Sequence, residues 1–446
     1  MLILLNNVSY KKIWQISLPI IISGVAQNIV NVTDTAFLGQ VSNVALGAAG
    51  NAGILYFVII ITGMGFTTGT QILIGRRNGE QNYKQIGKIT DHTFYFIIPF
   101  ALLLFTIVQF YSSNFLSEII KSENILIAAN QYLDYRIWGI FFAFINFTFI
   151  AFFVGTTQTK ILSYVTILMM VVNVILDYIL IFGHLGFAPM GVSGAALASV
   201  ISEGIAFLFI LGYTLTKVDL NKYSLFKFQK FESKLFFRLF NVSSPIMAQN
   251  FLSLSSWFIF FMIIEKIGET ELAISHIVRS IYMVLMIPLF GFSNATNTLV
   301  SNLIGENRTE SVLPVIKKII LLSLACTFVL SLICFFIPEL LVSFYTSDSL
   351  LISQTVETLR VINITMFFFC VSFILFNGVT GTGNTRASLL IEFINIVIYL
   401  ASAYYIGITL QSSLPVVWAS EFIYFGCLGL LSYLYLKKGN WKSLNI

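Results

Sequence analysis

Five polar residues stand out against an apolar background, and their spacing gives them a common chemistry. In the run that ends NVTDTAFLGQ, Gln27, Asn31 and Asp34 are four and three residues apart, with Ser23 one turn earlier. On a helix they line one face. In MMVVNVILDYIL, Asn173 and Asp177 are four apart and stack in the same way. Two carboxylates flanked by amide and hydroxyl oxygens can hold a proton and release it, or ligate a bare Na⁺. An acid at the centre of a bilayer costs about 2.5–3.5 kcal/mol on insertion scales, so such groups must face protein or a wet cavity.

The elements that carry them are membrane spans. The 446-residue chain is 57% hydrophobic and 10% charged, whereas a soluble domain carries about a quarter charged residues. Twelve stretches are apolar over about 20 residues, enough to cross a hydrocarbon core as helices. They fall near 13–38, 46–75, 93–112, 135–154, 161–182, 190–215, 237–264, 273–304, 317–345, 358–379, 387–409 and 414–436. Runs such as FFAFINFTFIAFF are apolar on every face, which excludes the alternating strands of a β-barrel. The opening MLILLNNVSYKK has its positive charges after the apolar part and no small-residue cleavage site, so it does not read as a secretory signal.

Most of the 25 lysines and arginines lie at the two ends or in the even-to-odd loops, among them Lys11, Arg76, Arg77, Lys160, Lys234, Arg308, Arg386 and Lys437. Both termini are therefore expected in the cytoplasm, with the protein in the plasma (inner) membrane. The same asymmetry accounts for the net charge of +5 without nucleic acid as a partner. Cys326, Cys334, Cys370 and Cys427 lie in spans without CxxC pairing, and His92, His184 and His276 are far apart. Neither set suggests a metal, so the only metal expected is Na⁺ at the acids.

A shift of 226 residues places GFTTGTQILIGRRNGE at 65–80 on GFSNATNTLVSNLIGE at 291–306, with six of sixteen positions identical, and GTTQTK at 155–160 on GTGNTR at 381–386. Two six-helix halves of the same orientation follow: an N-terminal lobe at 1–216, a cytoplasmic linker at 217–236 and a C-terminal lobe at 237–446. Parallel repeats of this kind build two-lobed transporters around a central cavity. The same shift maps Asp34 to Phe260, Gln27 to Ser253, Asn31 to Trp257, Asn173 to Tyr399 and Asp177 to Ala403. The polar constellation belongs to the first half alone.

Structural readings stand beside the functional ones. Asp34 could cap an outer helix end with water, and Asp177 could bond a neighbouring helix. Glu203 and Glu421, each after a serine, and Glu392 read as packing bonds or as functional acids. Pro19 and Pro245, in the first span of each half, bend their helices and are gating candidates, or are tolerated near a helix start. The glycines of TGMGFTTGT read as close helix contacts.

The LPII opening followed by VTDTAFLG, the GFTTGTQILIGRRNGE segment, the paired GTTQTK and GTGNTR turns and NVILDYILIF together resemble the multidrug and toxic compound extrusion (MATE) family over essentially the whole chain. That resemblance implies an all-α polytopic fold of twelve helices in two bundles, and export of drugs, toxic organic compounds or metabolites by antiport with H⁺ or Na⁺ through alternating access. It assigns ion coupling to Asp34, Asn173, Asp177 and, through ALASV, Ser199, and makes Gln27 and Asn31 a polar stripe toward the substrate. NorM-like members also carry acids in helices 7 and 10. Here those helices offer Gln249, Asn250, Asn363 and Asn377, which favours the DinF-like side. The expected partners are a lipophilic, often cationic small molecule and membrane lipid, with no obligate protein partner and no cofactor beyond the coupling ion. A lipid-linked precursor flippase is the alternative, although Arg279 and Arg360 are nearly the only bases within spans. An intramembrane transferase is a further one, without a DDxxD, HExxH or GxSxG motif to carry it.

Overall fold

The structure is a computed structural model that describes residues 8–444. The first seven residues of the opening stretch, read above against a secretory signal, lie outside the described residues. In chain order the α-helices are α1 (Tyr10–Val41), α2 (Asn43–Gly79), α3 (Tyr83–Ile119), α4 (Glu123–Arg136), α5 (Gly139–Gly155), α6 (Lys160–Phe182), α7 (Val192–Lys217), α8 (Leu220–Tyr223), α9 (Ser233–Glu265), α10 (Glu269–Gly305), α11 (Val312–Phe336), α12 (Pro338–Ser343), α13 (Ser349–Gly381), α14 (Thr385–Tyr404), α15 (Leu414–Trp418) and α16 (Ser420–Lys438). No strand occurs among the described residues. Eleven helical segments are long and apolar enough to span, and α4 with α5, bent by 49° at their junction, makes the twelfth.

Apolar content locates the spans but not their ends. The third span, α3, reaches Tyr83–Ile119 and the tenth span, α13, Ser349–Gly381, because a helix continues past the hydrocarbon while its hydropathy falls. The ninth apolar stretch, read as one run to 345, stops at Phe336 and resumes at Pro338, since proline cannot donate to the preceding turn. After Tyr404 the eleventh span widens into a π-helical turn at Tyr405–Thr409.

Contacts divide the chain into two units: Ile22–Ser243, and the chain up to Ile21 together with Ser244 onward. The changes of unit fall beside Pro19 and Pro245, which lie inside α1 and α9. The start of α1 is thus core to the C-terminal unit, where Ile13 and Ile16 are buried and Trp14 meets Phe292 at 5.9 Å between ring centroids. The start of α9 is correspondingly part of the N-terminal unit, where the Ser243 hydroxyl donates to the Phe66 carbonyl at 2.9 Å.

Within each unit the repeat recurs as backbone geometry. Gly155 on α5 lies so close to α2 that a Cβ would stand 3.0 Å from the Gln71 carbonyl oxygen; Gly381 on α13 lies against α10, 2.6 Å from that of Asn297. Two bends adopt left-handed φ at matching places, Gln81 (58°) with Asn307 (58°) and Thr157 (61°) with Gly383 (86°). The second pair shows why glycine suits the position, because a left-handed threonine costs about 1–2 kcal/mol.

The join after α7 lies along α3. Tyr95 donates to the Gln229 carbonyl at 2.8 Å, the Gln229 amide to Asp91 at 3.2 Å, the Glu232 amide to His92 Nε2 at 2.8 Å, and Lys88 to Glu232 at 2.7 Å. Lys88, by that hydrogen bond and then by its charge, holds the Glu232 carboxyl below the usual carboxylate range. A group depressed in the folded state adds stability above its unfolded pKa, and that contribution is lost as pH falls through the folded value.

Two outcomes are expected. Gly381→Val should destabilise the detergent-solubilised protein by about 1–3 kcal/mol through overpacking, read as a lower thermal midpoint, while Thr157→Gly should not lower it. Acidification through the carboxylate range should lower the protection of the amides at residues 229–232 relative to their intrinsic exchange rates, and Lys88→Gln should do so at neutral pH; protection unchanged in both would show that the ion pair does not hold the join.

Candidate ion-coupling site

The polar residues singled out in the first half converge inside the N-terminal unit. On α6, Asn173 and Asp177 are fully buried one turn apart. Asp34 approaches from α1, half-buried, and Ser199 from α7. With its amide turned so that both groups are satisfied, Asn173 donates to Asp34 Oδ1 and to Asp177 Oδ2, each at 3.2 Å. The other side of that amide then faces the Ser199 hydroxyl, 3.5 Å away.

The two carboxyl groups thus share one donor and lie within electrostatic reach of each other, and carboxylates so placed resist ionising together without a proton or cation to offset their repulsion. Asp177 Oδ1 is buried without a partner. The arrangement can therefore exchange one small positive charge, and its amide and hydroxyl oxygens suit either H⁺ or Na⁺. Among the described residues no three His, Cys, Asp or Glu side chains gather as a metal site.

The rest of the predicted stripe is more open. Gln27 and Asn31 are exposed and 3.5 Å apart, Gln27 Nε2 donating to Asn31 Oδ1. Of the amides found where NorM-like members carry acids, Asn363 pairs with Ser331 and Asn377 donates to the Phe373 carbonyl at 2.9 Å. The first pair ties α11 to α13; the second bond lies within α13.

Sequence reasoning missed Arg136. Its guanidinium forms a bidentate pair with Glu203 at 2.6 and 3.0 Å, lies 3.9 Å from the Tyr56 ring centroid and acts electrostatically on Asp34. It sits at the end of α4, just before the bend, where an arginine reads from sequence as an interfacial anchor. Gly139, at the start of α5, makes room: a Cβ there would be 2.5 Å from Glu203 Oε2. The Asn146 amide completes the support by donating to the Glu203 carbonyl at 3.1 Å.

The family model described as MatE matches residues 19–179 and again 245–405. The chain belongs to the MatE family. The two matches are displaced by the same interval as the sequence repeat, and membership makes this protein a membrane transporter and not an enzyme. Among curated relatives it is similar to a probable multidrug resistance protein NorM of Thermotoga maritima, 28% identical over 86% of this chain and 83% of that one. The fold is that of solved MATE structures. One is an outward-facing multidrug resistance MATE family transporter of the MOP superfamily, with a TM-score of 0.89 at 17% identity, covering 96% of this chain and 95% of that one. Another is a MATE in the straight conformation, with a TM-score of 0.88 at 18% identity over the same shares.

Removing one partner of a buried ion pair leaves an uncompensated charge and costs about 3–5 kcal/mol, whereas replacing both by apolar residues is close to neutral. Arg136→Met is therefore expected to lower the thermal midpoint sharply, and Arg136→Met with Glu203→Leu to recover most of the loss. If the double variant is no better than the single one, the pair is not what Arg136 contributes.

Proposed function

We propose that this transporter is a secondary active exporter of drugs, toxic organic compounds or metabolites, driven by inward H⁺ or Na⁺ at Asp34, Asn173, Asp177 and Ser199. The observation that carries the reading is the Asn173 amide bridging the carboxyl groups of Asp34 and Asp177. In the ion-bound state the proton or cation lies between Asp34 and Asp177, and α1 and α6 are drawn together. When the ion leaves, like charges remain in a poorly hydrated place and repulsion favours their separation. Because Asp34 lies on α1 between the open Gln27–Asn31 stripe and the buried α6 acid, ion release changes how α1 presents that stripe. Substrate and ion then act on one helix through their different affinities for its two arrangements, which is the thermodynamic requirement for exchange.

Pro19 and Pro245 stand where the chain passes from one unit to the other, and we assign them the bends that let α1 and α9 shift without breaking their remaining ladders. The sequence repeat supports the division into two lobes joined by the 217–236 linker. Lysine and arginine placement supports cytoplasmic termini in an inner membrane. The many aromatic and methionine side chains suit a lipophilic, often cationic substrate, through apolar and cation–π contact.

Uptake of a fluorescent lipophilic cation into inside-out vesicles, driven separately by a H⁺ and a Na⁺ gradient, tests the reading. The wild type is expected to accumulate the probe with one of the two gradients. Asp34→Asn and Asp177→Asn should each reduce gradient-driven accumulation by about tenfold or more, within the range of site-to-site coupling energies. Both variants transporting with intact coupling would sink the assignment.

A further inference from the structure

The C-terminal unit lacks counterparts of Asp34 and Asp177 but holds two buried acids of its own. Glu392 on α14 is 1% exposed and Glu421 on α16 is 3% exposed. Glu392 Oε1 accepts from the Ser253 hydroxyl of α9 at 2.6 Å and from the Tyr424 hydroxyl at 2.8 Å; Glu421 Oε2 accepts from the Tyr282 hydroxyl of α10 at 2.9 Å. The Tyr399 ring lies 5.1 Å from that of Tyr424 and is within electrostatic reach of Glu421. The two acids and three tyrosines thus form one cluster.

Comparison with the N-terminal unit shows what is missing from it. Under the repeat shift Tyr56 corresponds to Tyr282 and Glu203 to Gly429, so Glu421 stands eight residues, about two turns, before the direct counterpart of Glu203. Both tyrosines face the glutamate of their own unit. In the N-terminal unit Arg136 neutralises Glu203; the position corresponding to Arg136 is Ile362, fully buried. Neither Glu392 nor Glu421 has an ion-pair partner among the described residues. Of the nearby bases, Arg279 on α10 lies over the Phe261 ring and Arg360 on α13 is exposed.

Orphaned polar atoms gather at the same place. Glu392 Oε2 has no partner; neither do both amide atoms of Asn395, three residues further along the same face of α14, nor the Tyr399 hydroxyl one turn beyond. Asn395 and Tyr399 are 0% and 2% exposed. A buried carboxylate without a cation is costly. A carboxylic acid with an unmatched amide oxygen one turn away is not. The hydroxyl donors occupy Oε1 of Glu392, which leaves Oε2 as the oxygen to carry a proton.

We propose that Glu392 and Glu421 form a second proton-binding site, in the C-terminal unit, built on α14 and α16 and supported by Tyr282, Tyr399, Tyr424 and Asn395. Its ligand is H⁺, because hydroxyl donors already point at each carboxyl group and would compete poorly as ligands for a metal ion. A part in transport rests on the ion-coupled reading above. Proton binding does not.

Infrared difference spectroscopy of the full-length protein during a pH titration reads carboxyl protonation without any need for transport. The expected result is a protonated-carboxyl band that persists in Asp34→Asn/Asp177→Asn, is lost in part in Glu392→Gln and in Glu421→Gln, and shifts in Tyr282→Phe, which keeps the ring in the core. Bands in Glu392→Gln, Glu421→Gln and Tyr282→Phe identical to the wild type would overturn the proposal, because both acids would then be ionised and held by hydroxyl donors alone. The vesicle assay separates the two readings. If no gradient drives export in the wild type, ion-coupled efflux fails, and the band still decides whether the C-terminal unit holds a proton.

Discussion

A carboxyl group among spanning helices must find its partners there, and the N-terminal unit meets that demand by tying three helices to one amide. Asn173 has two hydrogens to give and one oxygen to accept, and the site uses this inventory: hydrogens toward Asp34 on α1 and Asp177 on α6, oxygen toward Ser199 on α7. A hydroxyl could not bridge both acids, and a third carboxylate would add repulsion. One side chain therefore touches partners on α1, α6 and α7.

Around this junction the unit is otherwise rigid in composition. Arg136, Glu203, Tyr56 and Asn146 form a polar knot behind Asp34, in which the Tyr56 hydroxyl and Asn146 Oδ1 stay without a hydrogen-bond partner, and the 49° bend between α4 and α5 together with Gly139 gives the guanidinium its place. Such a knot contributes little net stability over an apolar core of the same shape. Its use is positional, since it fixes a positive charge within electrostatic reach of Asp34. A lysine would not serve as well there, because the bidentate fork to Glu203 needs a planar guanidinium.

Much of this was legible in the sequence for a physical reason. Helical period, apolar length and the 226-residue repeat are local or translational properties, so the twelve crossings and the stacking of Asn173 on Asp177 could be read directly. The approach of Asp34 to α6 was legible only through the resemblance, because nothing local joins residue 34 to residue 177. Arg136 was not legible at all: it lies at a helix end, where a base needs no partner, and its partner is 67 residues away. The exchange of the first halves of α1 and α9 between units was hidden in the same way, since a proline marks a bend but not what the bent segment packs on.

The repeat also shows how duplicated halves diverge under the constraint on buried charge. Where the first half places Asn173, the second places Tyr399; where the first has Arg136, the second has Ile362. A glutamate buried in the second half without that arginine would be a stranded charge, unless its surroundings differ. They do: Tyr282 donates directly to Glu421, Tyr424 and Ser253 donate to Glu392, and the unit's polar atoms shift from amides to phenols. Phenols can support a carboxyl group in either protonation state but cannot neutralise it. The N-terminal unit therefore balances its glutamate with a fixed cation, whereas the C-terminal unit surrounds its two glutamates with hydroxyl donors and, on the proposal above, leaves their neutralisation to a proton.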